Sequence, residues 1–93
     1  MLADPVILTP QVALIRIQLG AYQHREDALA SWTILKRRHT ALLADLQPEV
    51  RQVDIDETRM YRLQAGPFSN VDDANLLCRR MLARESECLV IGH

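Results

Sequence analysis

IRIQLGAY (residues 15–22) and YRLQAGPF (residues 61–68) are two versions of one phrase. In the second, Arg62, Gln64 and Gly66 alternate with Leu63 and Ala65; in the first, Arg16 and Gln18 alternate with Ile15, Ile17 and Leu19. Successive side chains of a strand point to opposite faces, so each phrase predicts a strand with one apolar and one polar face. A single offset of 46 residues, Arg16 to Arg62, lays one phrase on the other. The same offset carries Asp27-Ala28 onto Asp73-Ala74 without a gap and sets Leu35 on Met81. The unit of construction is therefore strand followed by helix, used twice.

Between the two phrases, Ala28, Trp32, Leu35, Leu42 and Leu46 recur near the helical period and predict one helix from about His24 to Leu46, stopped by Pro48. Val53 and Ile55 alternate with Gln52, Asp54 and Asp56, which predicts a second strand turning at Asp56-Glu57-Thr58-Arg59 into the third. Gly66-Pro67 reads as the stop that closes that strand. Ser69 or Asn70 can cap the next helix, whose apolar stripe is Ala74, Leu77, Cys78, Met81 and Leu82, with Asp72 and Asp73 at its positive end. Cys88-Leu89-Val90-Ile91 predicts a fourth strand. The order β-α-β-β-α-β, with right-handed crossovers, gives an α/β (α+β sandwich) fold of the ferredoxin-like kind. It has a four-stranded antiparallel sheet, the first and third strands central and two helices on one face. Arg16, Gln18, Arg62 and Gln64 then stand together on the uncovered face, where polar residues are also what solvent alone would select.

Composition narrows what that face can do. A chain of 93 residues with 48% hydrophobic content supports one domain with a small core. Eleven basic against twelve acidic residues give a net charge of -1, so no global field gathers nucleic acid or anionic membrane, and any anion site must be local. The run Lys36-Arg37-Arg38-His39 reads as a solvated helix face. Aromatic content of 4% disfavours base stacking. No apolar run approaches the roughly 18 residues a membrane span needs. The first residues lack the pattern of a secretory signal, and residues 4–10 hold two prolines without a regular period. Residues 1–13 are therefore expected to be the tail of a linker in a longer chain, and residues 14–93 the folded domain.

Taken in order, IRIQLGAY, DALASW, YRLQAGPF, DANLLCRRM and CLVI resemble the SPOR (sporulation-related repeat) domain from about Leu14 to Ile91. The resemblance implies the fold above and a non-catalytic module that binds peptidoglycan, in particular septal glycan strands stripped of stem peptides. It implies a place in the periplasm or cell envelope, on a chain anchored to the membrane through a part not present here, and a parent protein targeted to the division site. The glycan surface implied is the open sheet face, which carries over Gln18 and Arg62; strand parity adds Arg16 and Gln64. Ala21 stands where many members have a small hydroxyl residue, and Met60 where some have an aromatic ring. An arginine fork suits the carboxylate that amidase cleavage exposes, and glutamines suit sugar hydroxyls and acetamido groups. A monomeric domain with glycan strands as partner, no nucleic acid and no cofactor is expected.

Cys78 and Cys88, ten positions apart, are free thiols in a reducing compartment and a disulfide in an oxidising one. Trp32 is expected in the core. Tyr22 and Phe68 are expected to turn inward, because the glycines before them invite a bulge or a strand end. His24, His39 and His93 lack ligand spacing, so no metal site is expected, and no catalytic constellation stands out. Two other classes share the element order. An RNA-binding domain of RRM type needs aromatic rings on the exposed central strands, and no specific feature of the sequence favours a small regulatory or dimerisation domain.

Overall fold

A computed structural model of the chain describes residues 15–92. The expected linker, residues 1–13, and Leu14 and His93 at the domain's ends lie outside the described residues. The elements run β1 (Ile15–Tyr22), α1 (Arg25–Arg38), α2 (Thr40–Leu43), β2 (Gln47–Ile55), β3 (Thr58–Phe68), α3 (Val71–Ala83) and β4 (Leu89–Ile91). All pairings in the sheet are antiparallel and the strand order is β2-β3-β1-β4, so the two repeated phrases are the central strands. Ile15, Ile17, Leu19, Leu63 and Ala65 join Ala28 and Trp32 of α1 and Ala74, Leu77, Cys78 and Met81 of α3 in one core. Both helices thus cover the same face of the sheet, and the other face is open.

Two irregularities in the β1–β3 ladder decide which way the aromatic rings point. Residues directly opposite each other share a face. Gln18 pairs with Gln64 and Gly20 with Leu63, which leaves Leu19 as an extra residue in β1. Ile17 pairs with Ala65 and Ile15 with Phe68, which leaves an extra residue in β3 around Gly66-Pro67. Each bulge reverses the alternation, so Tyr22 and Phe68 turn to the helix side and pack against the core, as Tyr61 does. Gly20 makes room for this: a Cβ there would lie 2.6 Å from the Tyr22 hydroxyl, which accepts a 2.8 Å hydrogen bond from Ser31 Oγ of α1.

Four boundaries differ from the sequence expectation. The helix expected over His24–Leu46 breaks at His39 into α1 and a single turn, α2. His39 is 5% exposed. Its imidazole meets Ser86 Oγ at 2.9 Å through Nε2 and the Arg84 guanidinium at 3.3 Å through Nδ1, so the side chain serves the far end of α3. The second strand opens at Gln47, and Pro48 is part of it. Pro is tolerated there because β2 is an edge strand, paired with β3 alone. Finally, β3 runs through Gly66-Pro67, joined by a cis peptide, to Phe68, so the pair marks a bulge and not a stop. The hairpin turn is also tighter than expected, with only Asp56 and Glu57 between the strands.

The helix ends follow capping chemistry. Asn70 Oδ1 accepts the Asp73 amide at 2.9 Å, and Asp72 and Asp73 lie in the first turn of α3. At the other end, Ser86 N donates to Met81 O and Glu85 N to Leu82 O, with Glu85 at φ 63°. That is a Schellman closure with glutamate in the left-handed position usually given to glycine. The basic run Lys36-Arg37-Arg38 forms the last turn of α1, where cations oppose the helix dipole, and Lys36 Nζ lies 5.8 Å from the centroid of the buried Trp32 ring. Cys78 on α3 and Cys88 before β4 come together with Cα atoms 5.2 Å apart and sulfurs within bonding distance.

Candidate functional site

The open face is centred on Gln18 and Gln64, which sit directly opposite each other in the β1–β3 ladder. Gln64 is 3% exposed. Its Nε2 donates to Gln18 Oε1 at 3.2 Å, and its Oε1 accepts from Arg16 Nε at 3.2 Å. Each end of the Gln64 amide is thereby used, and a row Arg16–Gln64–Gln18 is locked across the central strands. Gly66 permits this arrangement. A Cβ at that position would come within 3.0 Å of Arg16 Cγ and 3.2 Å of the Ile15 carbonyl, displacing Arg16 from the row.

Arg62 lies on the same face but in different company. It pairs with Ala21 on β1 and Arg51 on β2, is half-buried, and has no side-chain hydrogen bond or ion pair among the described residues. The structure thus brings Arg16, Gln18, Arg62 and Gln64 to one face and bonds three of them to one another. Arg62 stands apart with its donors open.

Two further charged residues come to this face from β2, where the period-2 reading began too late to include them. Glu49 sits opposite Gln64 and Arg51 opposite Arg62. Glu49 Oε1 is 3.4 Å from Arg16 Nε, and its Oε2 is 3.2 Å from an Arg51 terminal nitrogen. The alternation that identifies Val53 and Ile55 extends back through Arg51 and Glu49, and Pro48 hid it by reading as a helix stop. On the other edge, Leu89 pairs with Gln18 and Ile91 with Arg16, so β4 lends the face an apolar border. Leu89 is 58% exposed. A shallow pocket of about 270 Å³ opens at the Arg16 end, between Gln47-Pro48-Glu49 and Gly66-Pro67.

What this surface offers chemically is a row of amide and guanidinium groups flanked by aliphatic side chains. Among the described residues no aromatic ring stands on it, since Tyr22, Tyr61 and Phe68 pack on the core side and Trp32 is buried. Nor do the described residues hold a group of three or more His, Cys, Asp or Glu side chains placed to bind a metal. No helix among them is long and apolar enough to cross a membrane.

Comparison with known proteins bears on the family and the fold. The family profile of the SPOR domain matches residues 11–92. The chain belongs to the SPOR domain family. Two solved structures resemble this SPOR domain. One is the crystal structure of the RlpA SPOR domain from Pseudomonas aeruginosa, with a TM-score of 0.60 and 15% identity over 85% of this chain and 99% of that one. The other is the solution structure of the peptidoglycan binding domain of the B. subtilis cell wall lytic enzyme CwlC, with a TM-score of 0.55 and 22% identity over 84% of this chain and 86% of that one. At such identities the likeness establishes a shared fold. No curated protein sequence matches the chain significantly.

Proposed function

We propose that this SPOR domain is a non-catalytic module that binds peptidoglycan through the open face of its sheet. Its ligand in this reading is glycan freed of stem peptides, and its role is to carry a membrane-anchored parent protein to the division site in the cell envelope. The observation that carries the reading is the bonded row Arg16–Gln64–Gln18 with the uncommitted Arg62 beside it, on the side of the sheet that the helices leave bare. Amidase cleavage leaves a free lactyl carboxylate on each muramic acid. A guanidinium with open donors holds such a group in two parallel hydrogen bonds. Gln18 and the border residue Leu89 suit the hydroxyl and C–H surfaces of the sugar rings. The resemblance to a peptidoglycan binding domain supports the same ligand class, and the absence of rings on the described open face leaves the RRM-type alternative without its stacking platform. In an oxidising envelope Cys78 and Cys88 form a disulfide, and the unit acts as a monomer.

Exposed contacts contribute about 1 kcal/mol each, or roughly 1.5–3 kcal/mol for one to a charged group, so several must act along a strand. The test is a pull-down with purified sacculi before and after amidase digestion, beside single-stranded RNA. Binding should rise on digestion, and Arg62→Ala should weaken it about tenfold with the melting temperature nearly unchanged, since Arg62 has no bonded partner to lose among the described residues. Equal retention on intact and digested sacculi would end the reading.

A further inference from the structure

The repeat that pairs Arg16 with Arg62 in sequence also relates the two halves of the sheet, and it exposes one deliberate asymmetry. Gln18 and Gln64 are equivalent and face each other. Across Gln64 from β1 stands Glu49 on β2, and across Gln18 from β3 stands Leu89 on β4. Arg16 reaches past Gln64 and finds a carboxylate at 3.4 Å. At the equivalent place for Arg62, beyond Gln18, stands an exposed leucine. The second oxygen of Glu49 also draws in Arg51, which lies directly opposite Arg62 and would otherwise set two like charges side by side.

We propose that Glu49 determines the specificity of the open face. By holding Arg16 and Arg51 it leaves Arg62 as the one unpaired guanidinium on the described part of that face. The surface therefore receives a carboxylate at a single point and refuses a polymer charged as densely as a polynucleotide, whose phosphates are spaced more closely than one carboxylate per disaccharide. Three guanidinium groups on a flat sheet would otherwise form a continuous anion track, because each neutralised phosphate of a bound polyanion releases counterions. Glu49 breaks that track at its middle. Its side chain is 44% exposed, so the role does not depend on burial.

The inference takes the open face as the ligand face, as the glycan reading does, but its test uses a different probe. Binding of fluorescent single-stranded oligo(dT) is measured at low and rising salt for the wild type and for Glu49→Gln. The wild type should show little binding. Glu49→Gln should bind at least tenfold more tightly at low salt, with a salt slope steeper by about 1, as expected when one or two further phosphates are neutralised. Adding Arg16→Ala, or placing a carboxylate on the other side with Leu89→Glu, should remove the gain. A Glu49→Gln protein with unchanged melting temperature and no gain overturns the proposal, as does strong oligo(dT) binding by the wild type; Glu49→Ala serves if Gln fails to fold. Sacculus binding by the wild type reports separately on the glycan reading, so one can fail while the other stands.

Discussion

His39 shows how much a single residue can carry in a small fold. Its amide donates to Leu35 O at 2.9 Å and its carbonyl accepts from Leu43 N at 3.0 Å, closing α1 and opening α2. Because the Arg84 guanidinium can only donate, Nδ1 must be the acceptor and Nε2–H the donor to Ser86 Oγ. Burial first, and then the nearby Arg84 and Arg38 charges, lower the imidazole pKa from its ordinary 6.5. The unfolded chain takes up this proton near pH 6.5, while the folded one resists until a lower pH, so stability falls as pH drops through that interval and levels off below the folded value. Thermal melts between pH 7.5 and 5 should show the midpoint declining below about pH 6.5. In His39→Gln the decline should be visibly flatter; an unchanged slope would place the proton elsewhere. Arg62 and Arg16 make the complementary point. The sequence presents them as equals, and only their neighbours across the ladder make one locked and the other open.

At the scale of elements, the hairpin between β2 and β3 is the place where the chain works against its own chemistry. Asp56 and Glu57 both have positive φ, 50° and 66°, the geometry of a two-residue type I′ turn. That turn matches the twist of the strands, but a non-glycine residue in the left-handed region costs about 1–2 kcal/mol. Glu57→Gly removes this strain and loses only about 0.5–1 kcal/mol to the entropy of the unfolded chain. A net gain of about 0.5–1 kcal/mol is expected in urea unfolding, with the m-value unchanged. A loss would mean that the Glu57 side chain has a role in the turn. The element order was legible from periodicity, because a strand's alternation and a helix's apolar stripe are written in neighbouring residues. The break at His39 was not, since the imidazole bonds to residues of the α3–β4 connection, more than forty positions away. The length of β2 was obscured for a related reason. Pro48 forbids a helix and a central strand but not an edge strand, and edge position is a property of the sheet.

For the whole molecule, the weakest member is β4, three residues long and paired only with β1. Cys88 precedes it directly, and Cys78 anchors that cysteine to the buried side of α3. A bridge closing this short loop stabilises by about 2–3 kcal/mol in the chain-entropy model. Reduction should therefore lower the melting temperature by roughly 10–20 °C for a domain of this size. Alkylation followed by mass measurement should find no accessible thiol before reduction and two after it; two modified thiols in oxidised protein would rule the bridge out. Because Leu89 borders the open face, loosening β4 should weaken sacculus binding as well.

By itself the sequence determined the β-α-β-β-α-β order, the repeat that makes the first and third strands a central pair, and the residue types of the open face. These follow from local periodicity and from the 46-residue offset, both of which are written in the order of residues alone. The glycines of the two phrases already pointed to Tyr22 and Phe68 turning inward; only the tertiary structure decided where the bulges fall, the reach of Glu49 to Arg16 and Arg51, and the openness of Arg62 among the described residues. Each of these depends on cross-strand register, which is set where separate segments meet and one extra residue reverses the facing of all that follow.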